Sequence, residues 1–319
     1  MTLFPFQPAH SLEDVVQERS WLIEGLWSDQ AVGIVGGEPK TFKSFLALDM
    51  AVSVASATPC LRRFPVRERG SVLLYAAEDS LSEVKKRLGG ICSAAGVALA
   101  DCDIQVITAP VLRLDLEDNR CRLSETLEHL KPRLLLLDPF VRLHRIDENA
   151  SREVAPILDF LRSLQRQFKT AVVVVHHSKK GAAKTRAGQA LRGSSEFHAW
   201  VDSFLYVRRV GDRLSMTVEH RVAPSQSGIC VELHAAGESL ALRCVERASE
   251  EPPQRANGDL PLVTIERALE QAQGPLLFDQ IRSACRVRTQ TVSNALAALM
   301  AQGRVHKTKA GYQLPASST

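Results

Sequence analysis

Five short apolar runs constrain this chain more than anything else in it. Gln30–Val35, Ser71–Ala77, Ile104–Ile107, Arg133–Asp138 and Ala171–His176 are four to seven residues long and nearly continuous in apolar side chains. Such runs read as strands buried on both faces rather than half-exposed ones. Helical periodicity falls between them: Lys43–Ser56 spaces Phe45, Leu46, Leu48, Ala51 and Val52 for one face, a second helix runs through Leu81, Val84 and Leu88, and Val154–Phe168 is amphipathic. Strands alternating with helices predict an α/β domain with a mainly parallel sheet flanked by helices. After Ser203 the texture changes. Ser203–Val210, Arg213–His220 and Cys230–Leu233 predict a β-rich antiparallel extension, with Gly211-Asp212 at a hairpin turn. Residues 248–258, containing Pro252, Pro253, Asn257 and Gly258, read as a linker. The expected organisation is an N-terminal segment 1–29, an α/β domain 30–247, the linker, and a small domain 259–315.

The first strand ends in Gly36-Gly37-Glu38-Pro39-Lys40-Thr41-Phe42-Lys43-Ser44. A strand, a glycine turn and Lys-Ser opening a helix form a phosphate-binding loop, in which backbone N–H groups and the helix N-terminus cradle phosphates. Lys43 would reach the β- and γ-phosphates of ATP, and the Ser44 hydroxyl would ligate Mg²⁺. Phe42 stands where glycine is expected, so either the backbone tolerates it or the loop is distorted. Asp138 closes the run Leu134–Leu137, at the strand edge where a Mg²⁺-organising carboxylate belongs; the alternative, with Pro139 next, is a helix cap or turn residue. Glu78 and Asp79 end the second strand in the same crevice. Glu78 is the expected base for the attacking water, and Asp79 the expected cap of the following helix. His176 and His177 end the fifth strand. Alternation sends one ring into the sheet and the other toward the crevice, which disfavours a shared metal and favours one histidine as a γ-phosphate sensor; a satisfied strand-end histidine is the plainer alternative.

Together these pieces resemble the RecA-like P-loop ATPases, and within them the RepA-type hexameric helicases of plasmids and phages. The matching segments are Trp21–Leu26, Gly37–Ser44, Ala76–Ser80, Leu137–Phe140, His176–Lys180 and Arg192–Ser195, within Trp21–Cys244. The resemblance implies Lys43 and Ser44 on phosphate and Mg²⁺, Glu78 as catalytic glutamate, Asp138 as the second Mg²⁺ residue and His177 at the γ-phosphate sensor position. It also implies a homo-oligomeric ring, a hexamer, with ATP between subunits and an arginine finger from the neighbour. Arg208 and Arg221 are the candidates for that finger. DnaB-type relatives carry Lys-x-Arg there, whereas this chain has Glu219-His220-Arg221, and the choice between the two arginines stays open.

Two basic segments are candidate nucleic-acid surfaces. Residues 178–195 hold Lys179, Lys180, Lys184, Arg186 and Arg192 with three glycines and no acid, a composition suited to tracking the backbone of single-stranded DNA or to a solvated loop. The C-terminal domain should form helices over Leu262–Ala272, Phe278–Cys285 and Thr289–Ala301, the last with Val292, Leu296, Leu299 and Met300 inward, then a hairpin over Gly303–Leu314. That order resembles a winged helix. Arg288, Gln290, Thr291, Ser293 and Asn294 would face duplex DNA from the third helix, and Lys307 and Lys309 from the hairpin; a protein-binding winged helix is the alternative.

Composition excludes some classes. The net charge is only +4, so a nucleic-acid site must come from local clustering. Seven scattered cysteines, with no CxxC pair, argue against a disulfide framework or zinc site and for a reducing cytoplasm. No apolar run approaches the roughly 20 residues a membrane span needs. The expected function is a DNA-associated ATPase, a helicase or helicase-like motor in plasmid, phage or mobile-element replication. The competing readings are an ATP-switched winged-helix regulator or initiator without unwinding activity, and an ATPase acting on a protein partner.

Overall fold

The computed structural model describes residues 4, 6–8, 11, 21–177, 196–236, 239–245, 259–272, 274–285, 289–308 and 310–315. The chain divides into two compact units, Met1–Glu246 and Arg247–Thr319. Among the described residues no helix is long and apolar enough to cross a membrane.

The first unit opens with a small hairpin, β1 (Trp21–Ile23) and β2 (Trp27–Ser28), a feature the apolar runs do not signal. Trp27 is fully buried and its indole N–H donates to the Ala31 carbonyl. Then follow β3 (Val32–Gly37), α1 (Lys43–Ser56), β4 (Val72–Ala76), α2 (Leu81–Ala95), β5 (Ile104–Val106), α3 (Glu117–Leu130), β6 (Leu134–Asp138), α4 (Ser151–Phe168), β7 (Ala171–His177), α5 (Glu196–Trp200), β8 (Ser203–Val210), β9 (Arg213–His220), β10 (Gln226–Ala236) and β11 (Ser239–Cys244). All except β1 and β2 among the strands join one sheet in the order β11-β10-β9-β8-β3-β7-β6-β4-β5.

Strands β8 through β5 run parallel, and β9, β10 and β11 add antiparallel pairs. The change of direction therefore lies on the far side of β8, which is parallel to β3 and antiparallel to β9. The β-rich antiparallel extension after Ser203 is present, with Gly211-Asp212 turning β8 into β9, and its first strand also pairs parallel with β3. Local pattern could not show it, because an apolar strand looks the same whichever way its neighbour runs. Strand β10 is also longer than Cys230–Leu233, and β11 was not foreseen.

Two cores lie on the two sheet faces. Val35, Val173, Val175, Leu205 and Val207 face α1 and α2. Ile34, Val172, Val174, Phe204 and Tyr206 face α3, α4 and α5. Alternation along β7 and β8 thus decides which face each polar residue at the strand ends shares. Helix α1 is buried nearly all round, as the central helix of a doubly covered sheet must be. On α2, Val84, Leu88 and Ile91 define the buried stripe, and Leu81 at its start is 53% exposed.

Close backbone approach explains one glycine. A Cβ on Gly33 would stand 1.8 Å from the Ser203 carbonyl oxygen and 2.9 Å from the Trp27 ring.

The second unit holds α6 (Asp259–Glu270), α7 (Phe278–Cys285), α8 (Thr289–Ala301) and a hairpin of β12 (His306–Thr308) with β13 (Gly311–Gln313). Leu262, Ile265, Leu269, Ile281, Val292, Leu296, Leu299 and Val305 form its core. A bridge between Leu276 and Tyr312 ties the loop before α7 to the hairpin. Met300, expected inward, is 38% exposed. It follows directly on Leu299, which takes the buried position.

Candidate nucleotide site

The carboxyl ends of β8, β3, β7, β6 and β4 lie side by side in that order, so five chain segments converge on one rim. Gly37 pairs with Val207 on one side and His177 on the other. Asp138 pairs with Ala76, and Ala77 N–H donates to the Asp138 carbonyl at 2.8 Å, which brings Glu78 and Asp79 beside Asp138. A Cβ on Gly37 would meet the Val207 carbonyl oxygen at 2.2 Å, so only glycine fits between these strands at the start of the loop.

The loop folds back on itself. Thr41 Oγ1 and Lys43 Nζ both donate to the Glu38 carbonyl at 2.8 Å. Lys40 and Phe42 adopt left-handed backbone, at φ 62° and 61°. This answers the question raised by Phe42. The position needs left-handed backbone, which is why glycine is expected there. Phenylalanine adopts the same conformation, with its ring edge-on to Phe45 at 6.2 Å and packed against the core. The loop keeps its turn, and α1 starts on schedule at Lys43.

Burial and charge shape the acid–base character of the rim. Burial lowers the Lys43 pKa to about 8, against the opposing pull of Asp138, Glu38 and Glu78. Burial raises the Asp138 carboxyl to about 6; the Ser44 hydroxyl bond and Lys43 oppose this, while Asp79 and Glu78 add to it. His177 is pushed down by burial and by Lys43. These neighbours place Lys43, Ser44, Glu78, Asp138 and His177 in one electrostatic group.

The two histidines part as alternation requires. His177 shares the Val173–Val175 face with the phosphate loop. His176 is 2% exposed on the opposite face, among Phe140 and Phe197. Asp79 does not cap α2. Ser80 does, accepting from Glu83 N–H, while Asp79 pairs with Arg87 at 2.6 Å. The serine is one residue nearer the helix, where its oxygen can reach the third N–H. Arg142 was not foreseen: its Nε stands 2.9 Å from Glu78 Oε1. No sequence signal marks it, since it comes from the turn after Asp138.

Arg208 and Arg221 lie apart. Arg208 follows Val207 at the phosphate-loop rim, on the Tyr206 face, and its Nε is buried without a hydrogen-bond partner among the described residues. Arg221 follows β9, whose end pairs with Ser203 opposite Gly33. It therefore sits at the other rim, four residues or roughly 13 Å along the strands, held by Asp202 and the Ala199 carbonyl.

Of the candidate DNA residues, Lys179, Lys180, Lys184, Arg186, Arg192, Arg288 and Lys309 lie outside the described residues, as does the side chain of Gln290. Lys307 is exposed, with Nζ 5.6 Å from the Tyr312 ring centre. Ser293 and Asn294 are exposed on α8.

A serine hydroxyl and a buried carboxylate, with two more acids nearby, are hard oxygen ligands of the kind Mg²⁺ takes. Among the described residues no group of three or more His, Cys, Asp or Glu is arranged to hold a metal by itself. The hydroxyl and carboxylate pair suits Mg²⁺, which takes one or two carboxylates and completes its shell with phosphates and water.

A glycine loop between strand and helix, on a mainly parallel sheet with an acid ending a neighbouring strand, defines a P-loop nucleoside triphosphatase of RecA-like fold. Residues 2–183, more than half of the 319, match the family described as AAA domain, and the chain belongs to that family. Among solved structures it is similar to a DnaB-like replicative helicase described with its interactions with primase, at a TM-score of 0.54 and 12% identity. That match covers 68% of this chain and 58% of the other, so this chain spans less than two thirds of its length, and the likeness is one of fold.

Proposed function

We propose that the protein hydrolyses ATP and works on single-stranded DNA as a helicase or helicase-like motor in the replication of a plasmid, phage or mobile element. The observation that carries the reading is the convergence of Lys43, Ser44, Glu78, Asp138 and His177 on one rim of one sheet. Lys43 moves its ammonium from the Glu38 carbonyl to phosphate oxygens. Ser44 and Asp138 would hold Mg²⁺, which supplies positive charge to the phosphates when bound. Glu78 orients the attacking water and accepts its proton once its carboxylate leaves Arg142. His177 donates to the terminal phosphate.

A hexameric ring in the cytoplasm completes this reading, with Arg208 or Arg221 reaching the neighbour's nucleotide. The basic segment 178–195, which follows the sensor strand, is the proposed single-strand contact. The second unit is proposed as a winged helix. Its three helices and hairpin favour a second reading, in which ATP switches assembly and this unit reads a duplex site without unwinding.

The test is ATPase turnover of wild type and Lys43→Ala with and without single-stranded DNA. Loss of turnover in the variant and salt-dependent stimulation of the wild type support the motor. Normal turnover in the variant overturns the site, and indifference to DNA overturns the motor. Strong preference for one duplex sequence without strand separation favours the switch.

A further inference from the structure

The residues after Asp138 contain a buried polar group that the proposed chemistry does not use. Glu148 stands between two imidazoles: its Oε1 is 3.5 Å from His144 Nε2 and its Oε2 is 3.5 Å from His176 Nε2. Both histidine side chains are 2% exposed and the carboxylate 13%. Phe140 packs against both rings, at 4.5 and 5.8 Å between centres, and Phe197 against His176 at 4.7 Å. Among the described residues no ring nitrogen of either imidazole has a hydrogen-bond partner, and the Glu148 carboxylate at ion-pair distance is the polar group each ring faces. Buried polar groups are kept only where they are matched, and removing one partner leaves the others exposed to the full desolvation penalty. The acid is therefore the shared counterpart of both rings.

The placement of this group gives it a consequence. Residues 138–148 carry Asp138, Arg142 against Glu78, and His144 with Glu148 against His176. The next residue of β7 is His177, on the face of the phosphate loop and under the influence of Lys43 and Glu78. One short segment thus supplies Asp138, meets Glu78 and meets His176, the residue before His177.

We propose that Glu148 is a positioning residue for His177: by tying the 138–148 segment to His176 it fixes the end of β7 and so the approach of His177 to a terminal phosphate. The proposal rests on the reading of His177 as the γ-phosphate sensor.

Binding separates it from a structural role. The full-length chain, with Mg²⁺, is titrated with ADP and with an ATP analogue bearing an imido β–γ bridge. Wild type should prefer the triphosphate. Glu148→Gln and His177→Ala should each reduce that preference about tenfold, the loss of roughly one hydrogen bond to a charged group, and leave ADP affinity within about twofold of wild type. The double variant should lose no more than His177→Ala alone, because both act through one contact. Should Glu148→Gln fail to bind ADP, Glu148→Asp, which keeps the charge and shortens the reach, is held to the same criteria. A Glu148 variant with wild-type preference, or a double variant whose loss is the product of the single losses, overturns the proposal. If His177→Ala itself keeps the preference, the sensor reading fails and this proposal with it. If His177→Ala loses it and the Glu148 variant keeps it, only the positioning role falls.

Discussion

Replacing Asp138 with asparagine should make the nucleotide-free protein more stable while abolishing hydrolysis. The folded pKa is about 6 against an ordinary 3.8, with burial as the main cause. That rise corresponds to about 3 kcal/mol of unfavourable free energy for keeping this carboxylate ionised in the fold. The attraction of Lys43 is already within that balance. An acid whose pKa is raised on folding destabilises the fold wherever it must be ionised. The handicap is complete above about pH 6 and vanishes as pH falls toward 3.8. Asparagine keeps the shape and can still accept the Ser44 hydroxyl. For a unit of 246 residues, about 3 kcal/mol raises Tm by roughly 6–12 °C. Thermal unfolding of wild type and Asp138→Asn at pH 7.5 and pH 4, without nucleotide, reads this directly. The gain should be present at 7.5 and largely gone at 4. ATPase turnover should fall at least about a hundredfold, because bound Mg²⁺ contributes several kcal/mol in such reactions. A variant no more stable than wild type at pH 7.5, or a difference that ignores pH, refutes the reasoning.

Glu148 should behave with the opposite sign. Burial alone would raise its carboxyl, but His144 and His176 outweigh it and hold the group at about 2 against 4.5. Its contribution, about 3 kcal/mol, is present above pH 4.5 and lost as pH falls toward 2, so acid unfolding of Glu148→Gln should be shallower over that range than that of wild type. Phe42→Gly should bind ADP normally and change stability by less than about 1 kcal/mol, since relief of left-handed backbone, worth about 1–2 kcal/mol, offsets the lost ring packing; Phe42→Pro, which forbids that backbone, should lose ADP in the same titration. Gly33→Ala should destabilise by at least about 3 kcal/mol in urea unfolding, because its methyl would sit 1.8 Å from the Ser203 oxygen.

The parallel core and most of the rim were legible in the chain because both are written in local pattern. A strand buried on both faces must be apolar throughout, so Leu134–Leu137 and Ala171–Val175 announce themselves, and the polar residue ending each run marks the rim. Assignment of His176 and His177 to opposite faces followed from alternation alone. What stayed hidden depends on partners distant in sequence. Arg142 reaches Glu78 across 64 positions, and His176 meets Glu148 only because β7 lies beside β6. The parallel pairing of β8 is equally invisible, since register and direction are properties of two strands. Phe42 stayed open for another reason: the constraint there is a torsion angle, and residue type reports it only indirectly.

The sheet also carries a map of mutational tolerance. Along β6 and β7 nearly every side chain is buried, whereas along β9 burial alternates, with Leu214, Met216 and Val218 inside and Ser215, Thr217 and Glu219 half-exposed. A scan of all substitutions should therefore show an unbroken band of intolerance across the central strands β3, β6 and β7 and a two-residue ripple beyond β8. The boundary between those textures marks where selection on packing gives way to freedom on one face, and it is on that freer face that the sheet can change its surface without losing its fold.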